Sequence, residues 1–259
     1  MLISIDHKMR FFLLALAGLA VLFMSGCSVT PKPDPNIAYE PPLHKVEDYV
    51  KETVTYVGDI YDPLEGFNRR AYTFNYYFDK FLYLPVVNTY EFIMPDYAEK
   101  RVSNFVDNVF EFNNFTNNLL QFKLKRTGIT LARFVVNTTV GIAGLWDPAT
   151  NWGMPRQTED FGQTLGHYGV GNGPYLMLPI FGPSNLRDTT GLVTDAVVFT
   201  AAGPPAWVDD DTTTLVFNGV TAVDKRHRQS FRYYRSGSPF EYDMLRMLYT
   251  AKRKIEIAK

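Results

Sequence analysis

The sequence predicts a mainly α-helical body with an irregular centre rich in glycine and proline. Three observations predict it. Apolar residues recur at helical spacing through most of the chain after residue 45. No series of alternating strands interrupts them. Residues 150–191 hold eight glycines and four prolines, too many for regular helix.

The chain opens with a short polar segment containing His7, Lys8 and Arg10. Phe11 to Met24 then run without a charge, and the small residues Ser25 and Gly26 follow. A charged start, an apolar stretch and a small-residue exit is the layout of a secretory signal peptide. The apolar stretch is shorter than the ~20 residues that span a bilayer as a helix. The junction Met24-Ser25-Gly26-Cys27 resembles a bacterial lipobox, with Met24 where leucine is commonest. Cys27 is the only cysteine in the sequence. Acylation of its thiol explains both its position and its lack of a disulfide partner. Ser28, in place of an aspartate, favours the outer membrane.

Residues 29–44 contain Pro31, Pro33, Pro35, Pro41 and Pro42 and read as an extended tether. The expected organisation is therefore a signal peptide at 1–26, a tether at 27–44 and a helical body at 45–259. Val46, Tyr49, Val50, Thr53, Val54 and Val57 suggest a short amphipathic helix ended by Asp62-Pro63. Phe67, Ala71, Phe74, Phe78, Phe81 and Leu82 form the next stripe, which Pro85 is expected to stop. Residues 97–111 place Val102, Phe105, Val106 and Val109 on one side. Ala132, Val135, Val136, Thr139, Val140 and Ala143 form a stripe that runs to the Gly144-Leu145-Trp146-Asp147-Pro148 break. Beyond the centre, helices are expected at Leu192–Phe199, around Val216, Val220 and Val223, and around Phe240, Met244, Leu248, Ala251 and Ile255. Lys252, Arg253 and Lys254 near the end of the last helix suit its dipole.

Composition narrows the function. Lys+Arg number 26 and Asp+Glu 27, so there is no global basic field and no nucleic-acid partner is expected. Aromatics are unusually many, with 20 Phe, 16 Tyr and 3 Trp. Rings of this kind serve cores, membrane interfaces and protein contacts. No G-x-S-x-G, H-E-x-x-H or P-loop motif is present. "GVGNGP", Gly169 to Pro174, lacks the strand–helix setting of a nucleotide loop. His44, His167 and His227 are far apart without ligand spacing, so no metal site, cofactor or enzymatic role is expected. Asp209-Asp210-Asp211 read as helix capping and solvated charge.

Two stretches suit lipid better than catalysis. "RRAYTFNYYFDKFLYL", Arg69 to Leu84, is aromatic on several faces. It is either core-buried or shared between core and bilayer. Asn68 and Asn75 lie seven apart on one face, either lining a polar path or bonding within the protein. Lys225, Arg226, Arg228, Arg232 and Arg235 form either a solvated helix end or a patch for an anionic partner, such as a phospholipid phosphate or an acidic porin surface.

"DPLEGFNRRAYTFN" (62–75), "RFVVNTTVGIAGLWDPA" (133–149) and "EDFGQTLGHYGVGNGPYLMLPIFGPSNLRD" (159–188) together resemble the VacJ/MlaA-type lipoproteins, in the family's order and over most of the chain after Cys27. The tether is longer than in that family, and the polar tail some members carry is not expected after the last helix. The resemblance implies a helical ring in the inner leaflet of the outer membrane, facing the periplasm. It implies an amphipathic channel that removes stray phospholipid from the outer leaflet and passes it to a periplasmic phospholipid carrier. Phospholipid is then the transported ligand, and trimeric outer-membrane porins are partners. Candidate channel or gating residues are Asn68, Phe74, Asn75, Tyr76, His167, Tyr168, Gly169 and Gly171. The alternative is a structural lipoprotein that braces porins.

Overall fold

The computed structural model describes residues 60–208 and 210–259. The expected signal peptide, Cys27, the tether and the 46–57 helix lie outside the described residues. Helix α1, Glu65–Phe78, begins just after Asp62-Pro63 and buries Asn68, Ala71, Tyr72, Asn75 and Tyr76 on one face. Pro85 does not stop the run as expected. A π-helical segment, Asp79–Tyr83, leads directly into helix α2, Leu84–Ile93. Pro85 sits in the first turn of α2, where a missing N–H costs least. The wide π turn lets hydrogen bonding shift register ahead of it.

Helices α3 (Asp96–Val109), α4 (Glu111–Leu120) and α5 (Leu124–Thr139) follow, with α4 packed along α5. The chain leaves α5 through left-handed backbone at Ile142, Ala143 and Gly144. A Cβ on Gly144 would also strike the Asn108 side chain at 2.5 Å. Asp147 then caps the one-turn helix α6, Pro148–Asn151.

The centre is more regular than its composition predicts. It holds helix α7, Phe161–His167, capped by Asp160, and an antiparallel hairpin of β1 (Tyr175–Leu178) and β2 (Gly182–Asn185). Tyr175 faces Asn185 and Leu178 faces Gly182. Helix α8, Leu186–Ala202, starts at once from the Asn185 cap, six residues before the expected Leu192. Some of the glycines are there for contact. A Cβ on Gly191 of α8 would lie 2.3 Å from the Gly162 nitrogen of α7, so the two backbones touch.

A 3₁₀ turn, Pro204–Trp207, precedes α9 (Asp211–His227) and α10 (Glu241–Ile257). Asp210 caps α9 by accepting from the Thr212 and Thr213 amides, so this acid serves the capping role expected of it. The protein is mainly helical, and no helix among the described residues is long and apolar enough to cross a membrane.

The apolar core is small. Among the described residues its cluster is Ala71, Tyr72, Tyr175, Met177 and Tyr242, with Tyr233 and Tyr234 packed against it. Tyr72 stands edge-on to Tyr233, Tyr234 and Tyr242, at centroid separations of 5.0, 5.1 and 5.9 Å. Elsewhere the usual pattern is inverted. Helix α5 buries Thr127, Thr130, Arg133 and Asn137, while Leu131 and Val135 face outward. Helix α8 buries Arg187, Asp188, Gly191 and Phe199 and exposes Leu186, Leu192, Val193 and Val197. Helix α4 buries Glu111, Asn114, Asn117 and Asn118.

Candidate functional site

Each of the three distinctive stretches folds into a polar knot that ties distant elements together. In the first, the Asn68 amide donates to Asp62 (2.7 Å) and to the Tyr175 carbonyl (3.0 Å) and accepts from the Met177 amide (2.8 Å). One turn pair later, Asn75 donates to the Leu178 carbonyl (2.9 Å) and accepts from the Ile180 amide (2.6 Å). The seven-residue spacing therefore places both asparagines against the hairpin, where they are bonded within the protein. Asp62 is held in turn by Tyr242 and Arg246. Burial foremost, together with the Asp62 charge, raises the Tyr242 and Tyr175 pKa values.

The second knot centres on Arg133. Its guanidinium reaches Glu111 (2.8 Å), Thr150 (2.9 Å), the Met154 carbonyl (2.6 Å) and Asp147 (3.1 Å). Asn137, one turn on, donates to Asp147 and accepts from the Ala149 amide. Burial opposes ionisation of Asp147, but hydrogen bonds from Thr150, Arg133 and Asn137 outweigh it and lower the carboxyl's pKa.

The third knot joins α7, α8 and α10. Arg253 donates to Asp188 (2.9 and 3.1 Å) and Asp160 (2.7 and 2.8 Å). Asn185, Arg187 and Tyr249 add donors to Asp188. Burial alone would lower the Arg253 pKa and raise that of Asp188. The hydrogen bonds and charges of Asp160 and then Asp188 outweigh burial and raise Arg253, and Arg253, followed by Tyr249 and Arg187, lowers Asp188.

The other candidate residues sit differently. Tyr76 is buried and its hydroxyl accepts from Lys80, while Phe74 is half exposed and stacks on Phe78. His167 and Tyr168 are exposed at the end of α7, edge-on to each other, and the Tyr168 hydroxyl donates to the Leu120 carbonyl. Gly169 has left-handed backbone, and neither Gly169 nor Gly171 has a neighbour where a Cβ would sit. Among the described residues, no hydrogen bond joins the 68–76 set to the 167–171 set.

The five basic residues have separate settings. Arg226 is buried in a two-pronged pair with Asp79 of the π segment, at 2.6 and 2.7 Å. Arg228 pairs with Asp107 and Asp224. Arg232 donates to the Gln229 and Phe231 carbonyls, and Arg235 is exposed. Lys225 lies over the Phe110 ring, 4.0 Å from its centroid. Arg156, which the sequence reading missed, shares Asp107 with Arg228. Among the described residues no group of three or more His, Cys, Asp or Glu side chains is placed to hold a metal.

These features define a class: helical proteins with a polar, ion-paired interior and apolar faces turned outward. The chain belongs to the MlaA lipoprotein family, whose sequence model matches residues 60–256. An uncharacterised protein of Rickettsia prowazekii (strain Madrid E) is 42% identical over 135 residues, 52% of this chain and 54% of its own length. The intermembrane phospholipid transport system lipoprotein MlaA of Escherichia coli (strain K12) is 40% identical over 138 residues, 52% of this chain and 55% of its own length. The protein of that name from Haemophilus influenzae is 33% identical over 173 residues, covering 64% and 66%. The chain thus spans about half the length of the first two. A solved structure described as the structural basis for maintenance of bacterial outer membrane lipid asymmetry is similar with a TM-score of 0.61 at 32% identity, over 76% of this chain and 98% of that one.

Proposed function

We propose that this chain serves intermembrane phospholipid transport. It removes mislocalised phospholipid from the outer leaflet of the outer membrane through an amphipathic channel and passes it to a periplasmic carrier, which maintains lipid asymmetry. Residues 1–26 are the cleaved leader, acylated Cys27 is the anchor, and 27–44 tether a ring-like body at 45–259. That body sits in the inner leaflet, faces the periplasm and lies beside a trimeric porin. Phospholipid is cargo, and no covalent chemistry or cofactor is involved.

The observation that carries this reading is the inversion of helix faces. Helix α2 buries only Val87, although Phe92 and Ile93 are 90% and 68% exposed. Each large apolar side chain left in water forgoes ~1.5–3 kcal/mol of burial. Acyl chains around the outer faces would supply that burial, and helices satisfy their own backbone there. A charged head group crossing hydrocarbon is costly, and a polar-lined interior lowers that cost. The transport named in the relatives from Escherichia coli and Haemophilus influenzae supports the same role.

The test is outer-leaflet phospholipid in a deletion strain complemented with wild type or Cys27→Ala. Excess surface phospholipid corrected by wild type alone is expected, because several acyl chains hold firmly where none leaves the body unanchored. Normal asymmetry in the deletion strain would refute the transport reading. Full correction by Cys27→Ala would refute the anchor.

A further inference from the structure

We propose that the outward apolar face of α10 is the docking surface for residues 46–57 of this chain, laid antiparallel along it as an amphipathic helix. The inference goes beyond the transport reading and does not depend on it.

Helix α10 buries Tyr242, Arg246 and Arg253 on one side. On the opposite side Met244, Met247, Leu248, Ala251 and Ile255 stand exposed at helical spacing. Leu248 and Ile255 are 56% and 66% exposed. A helix apolar on its outer side and polar within calls for a second layer over it.

The chain enters the body beside this helix. Ile60 packs against the tyrosine core, as do Leu245 and Tyr249 of α10. Asp62 accepts from Tyr242 and Arg246, in the first turns of α10. Gly58 and Asp59 separate Val57 from Ile60. Three steps of chain reach up to ~10 Å, enough to round the side of a helix. A segment held so close meets the face at high effective concentration, ahead of a partner that must arrive from outside.

The two stripes match in length. Val46, Tyr49, Val50, Thr53, Val54 and Val57 recur at helical spacing, and Val46 to Val57 is the same count of residues as Met244 to Ile255. Each run is about 16 Å long as helix. Entry at the start of α10 sets the direction, so residues 45–52 come beside its last turns. They carry Glu47, Asp48 and Glu52 against Lys45 and Lys51. The last turns of α10 expose Lys252 and Lys254. Arg253 between them is spent on Asp160, Asp188 and Glu256. Lys252 reaches Glu256 only at 3.7 Å. Opposite net charges favour this direction, while burial of the two stripes supplies the affinity.

The experiment uses the full-length acylated protein in nanodiscs of phosphatidylethanolamine and phosphatidylglycerol. With Cys27 acylated, introduced cysteines are the only free thiols. Val50→Cys paired with Ala251→Cys is expected to be linked within one chain by a short bismaleimide. Val50→Cys paired with Phe92→Cys on α2 should stay unlinked. Deuterium exchange over residues 46–57 is expected to be about tenfold faster in Leu248→Glu than in wild type, and within about threefold of wild type in Leu248→Met. Leu248 is exposed, so the rest of the protein should keep its exchange pattern in both variants. Equal exchange in Leu248→Glu and wild type, or equal linking of the two cysteine pairs, overturns the docking. Links that join two chains overturn it in favour of a second copy. Strong quenching of a bimane on Met247→Cys by brominated acyl chains overturns it in favour of lipid. The asymmetry assay of the deletion strain reads the transport role separately, so either reading can fail alone.

Discussion

Asn68→Ala removes the amide that fastens the hairpin to α1. Asn68 is completely buried, and its three bonds reach Asp62, the Tyr175 carbonyl and the Met177 amide. Alanine leaves a backbone acceptor and a backbone donor of β1 without those partners, at ~1–3 kcal/mol each, so a loss of about 4 kcal/mol is expected. For a domain of this size 1 kcal/mol moves the melting temperature by ~2–4 °C, which puts the fall near roughly 10 °C. Far-ultraviolet circular dichroism during heating of the detergent-solubilised protein reads it directly. Asn68→Asp sharpens the test. A carboxylate still accepts from Met177 but cannot donate to Tyr175, and it stands beside Asp62. That variant should be hurt more at pH 7 than near pH 4. A fall below about 2 °C in Asn68→Ala would mean that β1 finds other partners, and the clamp argument would fail.

Two further outcomes concern α7, α8 and α10. Gly191→Ala should cost ~1–3 kcal/mol in thermal unfolding, because its Cβ would meet the Gly162 backbone at 2.3 Å. Gly66→Ala on α1, with nothing within 4 Å, should be neutral or slightly stabilising, and equal effects at the two sites would refute the contact. The Asp188 carboxyl is held below its ordinary value in the folded protein. Its contribution is therefore complete above about pH 4 and is lost as pH falls through the depressed folded value. Arg253→Gln should destabilise strongly at pH 7, with the difference from wild type shrinking near pH 3. A difference independent of pH would count against the pair.

The helical period was legible in the sequence, and the side that turns inward was not. An amphipathic stripe has a spacing but no sign. Val135 and Val140 keep helical spacing and face outward, while Arg133 and Asn137 on the other side are buried. Which face is wet depends on what surrounds the protein. Glycine was misread in the centre because close approach and looseness share a composition, and only the crossing of α7 and α8 separates them. Arg253 stands between Lys252 and Lys254 and looked like one more cation at a helix end. Its partner Asp160 is 93 residues away, a relation no local pattern carries. The capping role of Asp210 was readable because it is local, acting within three residues.

The hairpin's attachment gives it a private set of reporters. In a wider sheet, amide protons of β1 would be protected by neighbouring strands and would exchange when the sheet opens. Here the amides of Met177 in β1 and of Ile180 in the hairpin turn are bonded to side chains of another element, Asn68 and Asn75 of α1. Their exchange with deuterium measures the parting of hairpin from helix and leaves the pairing of β1 with β2 out of account. Two amides thus separate a motion between elements from the melting of either one.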